Sequence, residues 1–164
     1  MDTLFDFSAI RFFSVYGLAA VILSVVPNFF FASREQNERL DDVDTCGAGI
    51  CFMEFFSRII LTVVLIFVRT PRLSANFAIA AAVCLVIYYI LWLRYFKTGC
   101  YYPGIYTKSF LGIPVPFAFA NVLYMIFVAL WLGNGIALCV IMLYGTCHLM
   151  NAFVARRDLK SRGF

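Results

Sequence analysis

Glu54 and Arg58 stand four residues apart inside residues 50–68, an apolar run of nineteen, close to the ~20 residues that span a hydrocarbon core. At that spacing they share one helical face, with the acid on the N-terminal side, the better order for pairing. Charges at membrane depth are costly and turn toward protein or water rather than lipid. Arg58, ninth of the nineteen, sits near the midplane, and Glu54 lies one turn nearer the start of the span.

The chain's single histidine, His148, lies six residues from the end of a second apolar run, 136–154. If both runs cross a membrane in opposite senses, His148 and Glu54 fall at similar depth, and their side chains lean toward each other's level. Tyr144 and Asn151 flank His148 on the same face, at i−4 and i+3. Asn28, Asn121, Tyr88 and Tyr89 belong to the same half of the bilayer, whereas the other half holds little that is polar beyond Ser and Thr. Glu54, Arg58, His148, Asn28, Asn121, Tyr144 and Asn151 are therefore the candidate intramembrane cluster. Its chemistry is a self-neutralised structural pair, a proton or solute path, or a pocket in which Arg58 holds an anionic group beside an acid–base residue.

Other chemistries find no pattern. The six cysteines give no C-x-x-C pair, since Cys46 and Cys51 are spaced C-x4-C, and no zinc spacing. Cys84, Cys139 and Cys147 fall within apolar runs, where a thiol behaves as a small hydrophobe. Cys147 points about 100° away from His148 around a helix, so the two make no nucleophile–base dyad. No dinucleotide fingerprint, phosphate loop, zincin motif or nucleophile elbow is present. No metal or cofactor is expected.

The elements that must carry the cluster follow from composition. With 63% hydrophobic and 13% charged residues, and nineteen Phe and nine Tyr in 164 positions, the chain has about half the charge of a soluble domain. It reads as an all-α integral membrane helical bundle, one transmembrane domain over 1–164. Five transmembrane helices are expected, at about 12–32, 50–68, 75–93, 113–132 and 136–154. The first is a retained span rather than a signal peptide, because Asp2 and Asp6 make its leading segment acidic, Pro27 interrupts its far end and no small-x-small site follows. A Gly133-Asn134-Gly135 turn separates the last two, which as one helix would overshoot the bilayer about twofold.

Arg34, Arg39, Arg94, Lys97, Lys108, Arg156, Arg157, Lys160 and Arg162 collect on one side of such a bundle, and Arg11, Arg69 and Arg72 on the other. Nine against three puts the N-terminus outside and the C-terminus in the cytoplasm. The net charge of +4 thus reports topology, and nucleic-acid binding is not expected. Residues 33–49 read as a solvated linker, and residues 95–112 as an aromatic segment lying in the interface. Pro114 and Pro116 read as a helix start, or alternatively as a distorted one that leaves carbonyls free for an ion or substrate.

Pro27-Asn28, Glu54-x3-Arg58, the run Phe110-Leu111-Gly112-Ile113-Pro114-Val115-Pro116 and Gly145-x-x-His148 resemble a group of small uncharacterised bacterial multi-pass membrane proteins. The resemblance implies a bacterial plasma (inner) membrane and brings no activity. Three functions stay open. One is a small transport or permeation component with a cytoplasm-facing polar cavity, the preferred reading. Another is a membrane-embedded enzyme or binder acting on a lipid head group or lipophilic substrate. The third is a structural subunit without its own active site. The expected partners are the lipid bilayer and either a second copy of the chain or another membrane protein.

Overall fold

The computed structural model describes residues 13–40, 42–68 and 73–164. These form α1 (Val15–Ala32), α2 (Ala48–Phe67), α3 (Ala75–Lys97), the single turn α4 (Gly104–Thr107), α5 (Pro116–Trp131) and α6 (Gly135–Ser161). No strand occurs among the described residues. Helices α1, α2, α3 and α6 are long and apolar enough to cross a membrane, and α5 is apolar but shorter, at sixteen residues. Phe29, Phe52, Ile79 and Met142 point outward, a surface suited to lipid, where helices satisfy their own backbone.

Helix α3 packs along α5, α5 against α6, and α6 along α2. Helix α1 closes this row diagonally. At its start the Ser14 N–H donates to the Ile66 carbonyl at 2.6 Å, and Gly17 lies so close to α2 that a Cβ would sit 1.8 Å from the Leu65 carbonyl oxygen. At its end Phe31 packs on α3, with ring centroids 5.5 Å from Trp92 and 5.8 Å from Tyr95. Leu61, Leu65, Val128, Leu132, Ala137 and Ile141 fill the core where α2 ends and α6 begins. The opposite, charged end carries Arg94, Lys97 and the basic tail of α6.

Polar side chains stitch the helices where backbone groups lack partners. Asn134 caps α6 by accepting from the Ala137 N–H at 3.0 Å, and its amide nitrogen donates to the Val64 and Val68 carbonyls at 3.4 and 3.1 Å. One buried residue thus serves the start of α6 and the last turn of α2, both of which leave backbone groups unpaired. Helix α1 runs on through Pro27. Proline has no N–H to give the Leu23 carbonyl four residues earlier, and the Tyr89 hydroxyl supplies the missing donor at 2.9 Å.

Four expectations need correction. The span expected at 113–132 is a helix only from Pro116, because Phe110 and Ile113 close a turn on each other and neither Pro114 nor Pro116 offers an N–H. The Val115 carbonyl, one of those that could have been free, accepts from Ala118 and Phe119. The helix that carries the span expected at 136–154 runs on to Ser161, since Arg156, Arg157, Leu159 and Lys160 are good helix formers once outside the apolar zone. The 33–49 linker is not merely solvated: Asn37 exchanges backbone hydrogen bonds with Cys100 and Tyr102, and Arg162 donates to Asp42 and Asp158. Position 12, where the first span was expected to begin, lies outside the described residues, as do Arg11, Arg69 and Arg72 of the basic-residue count.

Candidate functional site

Helix α6 runs antiparallel along α2, so its residues at successive turns meet Glu54. Asn151 Nδ2 donates to Glu54 Oε2 at 2.6 Å, His148 Nδ1 to Oε1 at 2.9 Å and Arg58 Nη2 to Oε1 at 2.5 Å. A carboxylate only accepts, so the contacting His148 nitrogen carries its proton, and Nε2 is the acceptor when the ring is neutral. Three donors meet Glu54, two on Oε1 and one on Oε2, and its side chain is 14% exposed, whereas that of Arg58 is 51% exposed.

Tyr144, one turn before His148, packs against both His148 and Arg58. Its ring stacks on His148 with centroids 5.2 Å apart, and the Arg58 guanidinium carbon lies 5.3 Å from its centroid. Its hydroxyl donates to Asn121 Oδ1 on α5 at 3.2 Å. The cluster therefore joins α2, α5 and α6. Asn28 joins it at one remove: Asn28 Nδ2 donates to the Tyr88 hydroxyl at 3.0 Å and to the Ser24 carbonyl at 2.9 Å, and Tyr88 in turn bonds Asn121.

Asn151 also fastens the segment that precedes α2. Its Oδ1 accepts from the Cys46 N–H at 3.0 Å and faces the Cys51 thiol at 3.9 Å. Six free cysteines are present, so the C-x4-C spacing brackets an asparagine here instead of forming a bond.

Two cavities meet at the cluster. One, of about 380 Å³, lies among α1, α2, α3, α5 and α6 and is walled mainly by apolar side chains, with Asn28, Tyr88 and Asn121 among its polar ones. The other, of about 430 Å³, lies toward the charged end and is lined by Arg39, Thr45, Glu54 and Asn151 among others. Arg58, Tyr106, His148 and Ala152 line both. They form the partition between an oily chamber and a polar one. Beyond the oily chamber, the core around Val128, Leu132 and Ile141 is packed.

Sequence reasoning missed Tyr106, Trp92 and Val115 as parts of this site. Burial pushes the Tyr106 phenol well above its ordinary pKa, so it stays a neutral hydroxyl. Trp92 Nε1–H is buried beside the Tyr88 hydroxyl. Val115, buried against the oily chamber, holds φ +44° between two prolines, an outlier for a β-branched residue of the sort that concentrates at functional sites. The clues lay in the Pro-x-Pro run and the tyrosines of 95–112. Among the described residues no three His, Cys, Asp or Glu side chains converge as a metal cluster.

Four helices long and apolar enough to cross a membrane, around a part-buried ionic cluster, are consistent with a multi-pass helical membrane protein. No protein family, curated protein or solved structure matches the chain.

Proposed function

We propose that this protein binds a lipophilic small molecule, or acts on one, at the partition between its two chambers. One observation carries the reading: Arg58 and His148 line an oily cavity on one side and a polar cavity on the other, with Glu54 holding both. Chambers of this size lie within the ~300–1,000 Å³ range of small-molecule pockets. A molecule with an apolar body and a polar end matches both chemistries. His148, its tautomer set by Glu54, would be the acid–base group and Arg58 the holder of negative charge.

The packed core at the far end weighs against the transport component preferred from sequence, because an open path in a single copy would cross it. A carrier that alternates between two states remains a second reading, favoured by the ionisable partition. In either case α5 would complete a five-span bundle in a bacterial plasma membrane, N-terminus outside and C-terminus cytoplasmic, as the basic residues of the charged end suggest.

The test is to purify the protein in lipid nanodiscs and screen thermal stability against single-chain amphiphiles and soluble solutes, with proteoliposome flux in parallel. Saturable stabilisation by amphiphiles without flux supports the binder. Flux that depends on Arg58 and His148 transfers the role to transport.

A further inference from the structure

We propose that the ligand is a single-chain anionic amphiphile that passes sideways from the bilayer through the gap between α1 and α2 and sets its head group on Arg58. This rests on the partition being a ligand site, and it adds the ligand's charge class and its route.

The gap follows from the diagonal course of α1. That helix touches α2 at Gly17 and Ser14 but has moved to α3 by Phe31. Lower α1 and lower α2 therefore diverge over the oily chamber. Val25 on α1 and Arg58 on α2 both line that chamber, yet Val25 is 52% exposed and the Arg58 side chain 51%. The chamber thus opens on the outer face of the bundle, where Ile22, Phe29 and Ile59 are also exposed. A surface of that kind meets acyl chains, and an amphiphile reaches it without leaving the membrane.

Charge decides the class. Glu54 is the only carboxylate lining either chamber among the described residues, and its two oxygens already take donors from Arg58, His148 and Asn151. A cationic head in the oily chamber would find no carboxylate in its wall and would face Arg58. An anionic head would find the Arg58 guanidinium, which gives Glu54 one nitrogen of its three and can hold a second oxyanion with the others. It would also relieve the cost of a half-exposed charge at this depth. The apolar walls take the chain. A volume of about 380 Å³, near the low end for small-molecule pockets, suits one chain.

The experiment uses the full chain in zwitterionic nanodiscs and a long-chain fatty acid bearing a mid-chain diazirine, with the fatty alcohol of equal length as the uncharged control. Saturable photolabelling of peptides around Val25 and Met125 by the acid is expected. Arg58→Gln should weaken it at least ~10-fold, the loss of one charge-assisted hydrogen bond, and Arg58→Lys should restore part of it. Both variants are first shown to keep the wild-type melting temperature. With the native cysteines replaced, bridging Val25→Cys and Thr62→Cys with a bifunctional thiol reagent that spans the gap should abolish labelling, and the same variant without reagent should keep it.

Equal labelling by the alcohol, unmoved by Arg58→Gln, would overturn the anionic class while leaving a ligand site in place. Labelling unaffected by the α1–α2 tie, or saturable binding of acetate or phosphate in place of the acid, would overturn the lateral route and assign a water-soluble anion. No saturable labelling by either probe would overturn the ligand site itself.

Discussion

The Tyr89 hydroxyl donates to the Leu23 carbonyl at 2.9 Å, filling the vacancy that Pro27 creates in the backbone ladder of α1. A proline in a membrane helix is tolerated when a neighbouring helix supplies the lost hydrogen bond, and here the donor comes from α3, sixty-six positions away in sequence. The bond pins the half of α1 that borders the gap.

Tyr89→Phe should therefore cost about 0.5–1.5 kcal/mol, the net worth of one hydrogen bond. In a Pro27→Ala background the same change should cost less, because residue 27 then offers its own N–H to Leu23. Thermal melts of the four variants in one detergent measure this. Equal losses in both backgrounds would show that Tyr89 acts through packing alone.

Glu54 and Arg58 should not be equivalent. Glu54→Leu strips three donors of their acceptor and leaves Arg58 unpaired at membrane depth, a cost of about 3–5 kcal/mol. Arg58→Leu leaves Glu54 with His148 and Asn151, so the smaller loss of one charge-assisted hydrogen bond, about 1.5–3 kcal/mol, is expected. Abundance and melting temperature of the two single variants, with the double variant between them, settle the order. A larger loss from Arg58→Leu would place the charge of Glu54 chiefly on Arg58.

The α2–α6 register can be read chemically. With the native cysteines replaced, Glu54→Cys together with His148→Cys should cross-link with a short bifunctional thiol reagent. Glu54→Cys with Thr146→Cys should not, since the exposed Thr146 hydroxyl donates back to its own helix at Met142. Equal yields from both pairs would mean the helices rotate against each other.

Topology is open to a direct assay. A reporter fused after Phe164 should read cytoplasmic, and one fused to a chain truncated at Asn134 should read external, from the placement of basic residues. The same side for both would mean that α6 does not cross. An external reading at Phe164 would remove one span, and the sixteen-residue α5 is the first candidate.

Much of the cluster was legible because helical periodicity fixes which residues share a face. Glu54 with Arg58, and Tyr144 with His148 and Asn151, needed only the 3.6-residue repeat. The convergence of the two sets needed one further argument, that buried polar groups at matched depth seek each other. Depth does not give azimuth: the diagonal of α1 brings Asn28 to Tyr88 on α3, so it reaches the cluster's cavity without touching Glu54 directly. The diagonal comes from the tight contact at Gly17, a long-range packing fact with no local pattern. The pinned 33–47 segment was equally invisible, because polar composition is the same for a free linker and for one bonded to distant loops.

The separation of Glu54 from its partners on α6 also has a meaning in time. His148 lies 94 positions and Asn151 97 positions after Glu54. At ~5–20 residues per second of synthesis, Glu54 precedes His148 by about 5–19 s. For that interval α2 has only its own residue one turn on with which to neutralise the carboxylate. Of the three donors on Glu54, Arg58 alone is made within the same helix, and it keeps that bond after α6 has brought the other two.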